Sequence, residues 1–207
     1  MKKLLSATKN IRVLLLLLLI FVTTTLFAEG NGGMMMFEYQ IGVTAPSMSE
    51  FIDEPSFLGF NFEGAYKLTD WFMVGGSVGW NEFTKTIERR KVTTPNGGYY
   101  AKEWRRVDVT PLLLKGTMFY DSETPFVPYL SVGVGPWFLR ERYILGPLSK
   151  DLSSVNFGIR PELGTYLYWD PIGIRISAAF NGIIDNTDEI EDVAHWTFNI
   201  GIVFAQF

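Results

Sequence analysis

His195-Trp196-Thr197-Phe198-Asn199-Ile200-Gly201-Ile202-Val203-Phe204-Ala205-Gln206-Phe207 is the last stretch of the sequence. It contains no Pro, and an apolar residue stands at every second position from Trp196 to Phe204. That alternation, rich in β-branched and aromatic residues, predicts a β-strand. Five large apolar side chains on one face suit lipid. A strand in a bilayer must pair along both edges, because hydrocarbon offers backbone groups no other partner. The rest of the chain must then supply a closed antiparallel sheet.

The other end of the chain fits export. Met1-Lys2-Lys3, Lys9 and Arg12 form a positive region, and Ile11 to Val22 is almost wholly Leu, Ile, Val and Phe. Thr23 to Ala28 then offers small residues and a cleavage point. Residues 1–28 read as a signal peptide and 29–207 as the mature domain. Removing 1–28 takes four of the 18 basic residues and none of the 22 acidic ones, which leaves a net charge of −8. Such a balance excludes nucleic acid as a partner. There is no Cys, so neither a lipid anchor on Cys nor a disulfide is available. Aromatic residues are 15% and charged residues only 19%, against about 25% charged in ordinary soluble domains.

Seven further strands alternate in the same way. Phe37, Tyr39, Ile41 and Val43 oppose Glu38, Gln40 and Gly42. Phe60 and Phe62 oppose Asn61 and Glu63, and Thr69-Asp70 turns the chain. Val74, Val78 and Trp80 oppose Ser77 and Asn81, before a polar extension from Glu82 to Thr93. The fourth strand returns through Trp104 to Tyr120 after the turn Pro95-Asn96-Gly97-Gly98. Val107 and Val109 differ in parity from Leu112, Leu114 and Met118, so a bulge is expected at Pro111. The last strands run from Phe126 to Leu145, Ser154 to Trp169, and Ile172 to Ile184, with a loop expected over 146–153 and an acidic loop over 186–193. Eight strands with alternately short and long connections predict an all-β fold, an eight-stranded antiparallel up-and-down transmembrane β-barrel. A soluble lipocalin-type barrel shares the alternation. The terminal Phe, the aromatics gathered at one rim (Tyr66, Trp71, Tyr120, Phe126, Tyr168, Trp169) and charges able to meet in a lumen favour the membrane.

The chain resembles the small outer-membrane barrels of the OmpA and OmpX transmembrane type. The likeness rests on Tyr66-Lys67-Leu68-Thr69-Asp70-Trp71 around a turn, Pro111-Leu112-Leu113-Leu114-Lys115, and the final Phe207. It implies residence in a Gram-negative outer membrane after export through the periplasm. It also implies recognition of the C-terminal strand by the barrel-assembly machinery, with Phe207 as insertion signal, and contact with lipid and lipopolysaccharide. The family places its terminal aromatic on the lipid face, whereas the even-numbered face of this strand is assigned to lipid. A bulge between Phe204 and Phe207 is therefore expected.

Glu38, Glu63, Lys67, Lys115, Arg160, Glu162 and Arg175 should point into the lumen. An eight-stranded barrel is just wide enough for side chains to fill it, and buried charges there must pair. The extended third and fourth strands carry Lys85, Arg89, Arg90, Lys91, Lys102, Arg105 and Arg106, with Arg140 and Arg142 nearby. They predict a basic hairpin above the membrane, suited to phosphates of lipopolysaccharide or, through its edge, to an extracellular protein. The acidic loop around Asp188 and Glu191 lacks an EF-hand pattern. No GxSxG, HExxH, P-loop or Cys-based metal motif occurs, so no catalytic residue, metal or cofactor is assigned. A structural or surface-interaction role is expected. Two alternatives stand beside it: a narrow small-solute pore, and a lipid A esterase of the deacylase type that would use His195 with Thr197.

Overall fold

The computed structural model describes residues 32–94, 97–120, 124–169, 172–184 and 193–206. The signal peptide, the Pro95-Asn96 and Asp170-Pro171 turns, the acidic loop and Phe207 lie outside the described residues. Eight strands run β1 (Gly33–Thr44), β2 (Leu58–Thr69), β3 (Phe72–Thr94), β4 (Gly97–Phe119), β5 (Phe126–Leu145), β6 (Leu148–Trp169), β7 (Ile172–Ile183) and β8 (His195–Gln206). Each pairs antiparallel with its neighbours in sequence, and β1 pairs with β8, so the sheet closes into a barrel. One helical turn, α1 (Pro46–Ser49), sits in the β1–β2 connection.

Alternation sorts the side chains by chemistry. Leu114, Leu163 and Ile200 point outward at 64%, 65% and 55% exposure, amid a band of Phe, Val and Ile. Glu38, Asn61, Lys115 and Arg160 point inward and are buried. An outward apolar band of this kind on a closed barrel needs hydrocarbon around it. Trp71, Tyr120, Phe126 and Trp169 are exposed at the strand ends that share one rim, the interfacial level where aromatic rings collect.

The barrel is lopsided. β1, β2, β7 and β8 have 12 residues each. β3 and β4 have 23 each, β5 has 20 and β6 has 22. Only about 9–11 residues are needed to cross the bilayer, so β3–β6 continue outward as a four-stranded wall. The wall is taller than the sequence suggests at β6. A loop was expected over 146–153, yet Leu145 pairs with Leu148 across Gly146-Pro147 alone. Gly146 has φ +56°, and Gly then Pro suits a two-residue turn with positive φ only at its first position.

One expected bulge is absent, and the other, between Phe204 and Phe207, is described only as far as Gln206. The β3–β4 ladder keeps one register from Phe72↔Met118 through Asn81↔Val109 to Ile87↔Glu103, so no break occurs at Pro111. The irregularity lies instead between Ile87 and Arg90. Val107, Val109 and Leu113 simply point inward, because the outer half of the lumen is apolar. At the other end, the β1–β8 ladder continues unbroken to Gly33↔Gln206. Ile200 and Ile202 face out without a bulge up to Gln206.

Ile200 lies midway along β8. Ile200→Arg is expected to destabilise the barrel by roughly 2–4 kcal/mol, read by urea unfolding in lipid vesicles. No loss of stability would contradict a lipid-facing position.

Candidate functional site

The lumen is built in layers. At mid-height, six of the seven lumen candidates meet. Arg175 lies 2.9 Å from Glu63 and 3.2 Å from Glu38, and it also pairs with Glu162. Lys115 reaches Glu63 at 2.6 Å and Glu162 at 3.1 Å, and Arg160 reaches Glu162 at 3.4 Å. Tyr129 donates to Glu162 at 2.6 Å, and the Arg175 guanidinium lies 4.8 Å from the centre of the Tyr129 ring. Three carboxylates thus face three cations, all buried. Charge balance at this depth is a physical requirement, since an unpaired ion out of water would be prohibitive. Gly164 makes room for the network, because a Cβ there would come within 2.6 Å of the Tyr129 hydroxyl. The seventh candidate, Lys67, is not part of the network. It lies at the rim, 3.0 Å from the exposed Asp70, because its strand is ending there.

Above the ions lies an amide layer. The Gln40 amide lies 3.0 Å from both the Asn199 and the Asn81 amides, and Asn199 donates to Ser177 at 2.8 Å. Below the ions, Met34, Met36, Met73, Tyr166 and Val203 close the lower end. The outer end is closed differently. Phe83, Val107, Val109, Leu113, Trp137 and Leu139 form an apolar chamber, into which the β1–β2 loop inserts Met48 and Ile52. Glu50, Asp53 and Glu54 give this loop a polar sequence. Its signal was present in Met48, Phe51 and Ile52, spaced as one face of a helical turn.

The basic hairpin is largely neutralised by its own carboxylates. Arg90 and Arg105 clamp the buried Glu103 at 2.5 and 2.6 Å. Arg106 pairs with Glu82 and Asp108, Lys85 with Asp53, and Lys102 with Glu88. Arg140 and Arg142 share Asp151, whose hydrogen bonds from Arg140, and then from Arg142, hold its carboxyl down at about 2. Among the described residues, Arg89 and Lys91 have no carboxylate partner, and both are exposed. Arg106 and Arg140 also border a shallow groove on the outer face of the wall, whose lower edge is Trp80, Phe138 and Val155.

His195 is buried between rings, with centroids 5.0 Å from Phe83 and 6.1 Å from Trp137. The Thr197 hydroxyl accepts from Asn181 at 3.2 Å. Both side chains point into the lumen, away from any lipid ester outside the wall. Among the described residues no carboxylate orients His195.

These features define a transmembrane barrel with side chains packed across its lumen and a charged wall on one side of its mouth. Its fold is that of an integral outer-membrane β-barrel. Among solved structures it is similar to Ail, the attachment invasion locus protein of Yersinia pestis, in complex with the heparin analogue sucrose octasulfate. That match has 12% identity and a TM-score of 0.50, and covers 84% of this chain and 99% of that one. Neisserial surface protein A matches at 12% identity and a TM-score of 0.49, covering 84% and 96%. OprG of Pseudomonas aeruginosa matches at 13% identity and 0.43, covering 85% and 96%. At such identities the likeness is one of fold. No family model and no curated protein matches the chain.

Two outcomes follow. Arg175→Met leaves three carboxylates facing two cations and is expected to cost about 3–5 kcal/mol, measured by urea unfolding in vesicles. The second concerns pH. Burial alone would raise Glu103, but hydrogen bonds from Arg90 and Arg105 hold it below its usual 4.5. A hydrogen bond from Lys85 likewise holds Asp53 below 3.8. Depressed carboxylates stabilise above their unfolded values and lose that effect as pH falls through the folded ones. Hydrogen exchange of the 45–57 amides, corrected for intrinsic rate, should show constant protection from about pH 8 to 5 and a decline only below about 4.5.

Proposed function

We propose that this chain is a surface-contact barrel of the outer membrane, whose β3–β6 wall binds anionic groups on glycans. The observation that carries this reading is the continuation of four paired strands beyond the bilayer, with Arg89 and Lys91 unpaired near its end. The hairpin from 82 to 108 holds seven cations against four carboxylates, on a chain of net charge −4. An excess of positive charge confined to a projecting wall is a binding feature, since it runs against the charge of the whole. Phosphates of lipopolysaccharide and sulfates of an extracellular polysaccharide share the chemistry that Arg recognises. The complex of Ail with a sulfated heparin analogue supports the second source. Packing across the lumen favours surface contact over passage of solutes.

A second reading concerns protein partners. β2 pairs with β3 only as far as Leu58↔Glu82, so the β3 edge from 83 onward has a ladder with β4 alone. A free edge accepts an added strand, although its charges also guard against indiscriminate pairing.

Vesicles carrying the protein should bind heparin or purified lipopolysaccharide, more weakly as salt rises. Arg89→Glu with Lys91→Glu should weaken that binding tenfold or more, since charge-assisted hydrogen bonds contribute about 1.5–3 kcal/mol each. Loss with only one of the two polyanions would identify the source. Binding unchanged by the substitutions would remove the wall from the function.

A further inference from the structure

The β1–β2 loop is built as a lid. Its two ends are fixed to the barrel. Ala45 N–H donates to the Ala194 carbonyl, and Ser56 exchanges two backbone hydrogen bonds with Gly42. Between these anchors, the hydrogen bonds of α1 and the next turn stay within the loop. A compact loop with adjoining ends is an Ω-type loop, a kind often functional. Side chains hold it down. Met48 and Ile52 insert beneath it, Lys85 meets Asp53 at 2.6 Å, and Arg105 donates to the Phe51 carbonyl at 2.7 Å.

What the lid covers is more apolar than the lumen below it. The chamber walls are apolar, yet, besides Ser154 Oγ, three residues in or beside them carry polar atoms with no partner among the described residues: Trp137 Nε1, both amide atoms of Asn156, and His195 Nδ1. Their exposures are 0%, 4% and 1%. Trp137 and Asn156 face each other across the β5–β6 ladder, and the Trp137 and His195 rings are 6.1 Å apart. Gly158 leaves space for this arrangement, since a Cβ there would meet Trp137 Nε1 at 2.5 Å. Buried polar groups are nearly always satisfied, and several unsatisfied ones together call for an explanation. In the layer beneath, Gln40, Asn81, Asn199 and Ser177 each bond to a neighbour, and there single atoms, Asn61 Oδ1 and Asn81 Oδ1, lack a partner on side chains that are otherwise bonded.

We infer that the chamber binds a small neutral amphiphile, an apolar body ending in one hydroxyl, which enters from outside by displacing Met48 and Ile52. The hydroxyl oxygen accepts from Trp137 Nε1 or the Asn156 amide, and its hydrogen is donated to Asn156 Oδ1 or His195 Nδ1. The apolar body takes the place of the two lid side chains against Phe83, Val109 and Leu113. A charged head is disfavoured, because the nearest buried cation below, Arg160, already faces Glu162. The ionic and amide layers form the floor, so the chamber is a receptor with one entrance.

The test titrates 1-octanol into the protein in lipid nanodiscs, labelled with ¹⁵N at the Trp indoles. The Trp137 resonance is assigned from its loss in Trp137→Phe. A saturable shift of that resonance is expected. Asn156→Leu should keep the heat-modifiable gel mobility of the folded barrel and weaken binding about tenfold, the loss of one hydrogen bond. Arg105→Ala frees the lid and should tighten apparent binding severalfold, because a closed lid lowers the competent fraction. A shift that rises linearly and equally in wild type and Asn156→Leu would mark partitioning into lipid and overturn the site. Absence of any shift, in wild type and in Arg105→Ala alike, would overturn it too and leave the unpaired atoms to bound water.

Discussion

The pairing of β8 with β1 is the constraint on which the other features depend. A bilayer gives exposed backbone groups no water, so a spanning sheet has to close on itself. Here the closing ladder runs over all of β1, from Thr44↔His195 to Gly33↔Gln206. Closure with eight strands leaves a lumen only as wide as the side chains that fill it. Alternation then forces half of each strand into that space. What the lumen contains is therefore set by the same period that sets the lipid face.

A lumen filled from eight strands has to neutralise itself locally. Arg175 shows how. It rises from β7 and meets Glu38 of β1, Glu63 of β2 and Glu162 of β6, so one guanidinium ties three other strands together. Lys115 of β4 shares two of those carboxylates. Removing any member leaves others buried and unpaired. Such a network costs much to desolvate and is weak evidence for stability by itself. Its physical effect is on register, because a slip of one residue in any contributing strand would carry its charge to the lipid face.

The outline of this architecture was legible in the sequence because period two is a strong signal. Strand number and the apolar faces of β1, β6, β7 and β8 could be read from alternation, and the rim aromatics and the charges on the opposite faces gave those apolar faces their outward direction. Alternation does not report what fills the lumen at a given height. Equating inward with polar made Val107 and Val109 look misplaced and suggested a break at Pro111, where the ladder is regular. Trp137 and Leu139 share the inward parity of Tyr129 and Ser131, so parity alone would have placed them correctly. Lys67 failed for another reason. Its parity is inward, but its position at the end of β2 leaves its ammonium within reach of the rim. The lid was missed because Met48, Phe51 and Ile52 are apolar residues interspersed with Ser49, Glu50 and Asp53, and a loop's burial depends on what it folds over.

The height of β3–β6 then joins the two ends of the chemistry. Near the membrane, Arg106, Arg140 and Arg142 find Glu82, Asp108 and Asp151 on the wall itself, so this level is close to neutral. Farther out, acidic partners become sparse, and Arg89 and Lys91 stand beyond them. On the inner face the same strands present Lys85, Glu103 and Arg105 to the lid rather than to solvent. A single wall thus carries its unpaired cations on one face and the contacts that hold the β1–β2 loop on the other. Both faces belong to the same strands, so the register that places the outer cations also places Lys85 and Arg105 against the loop.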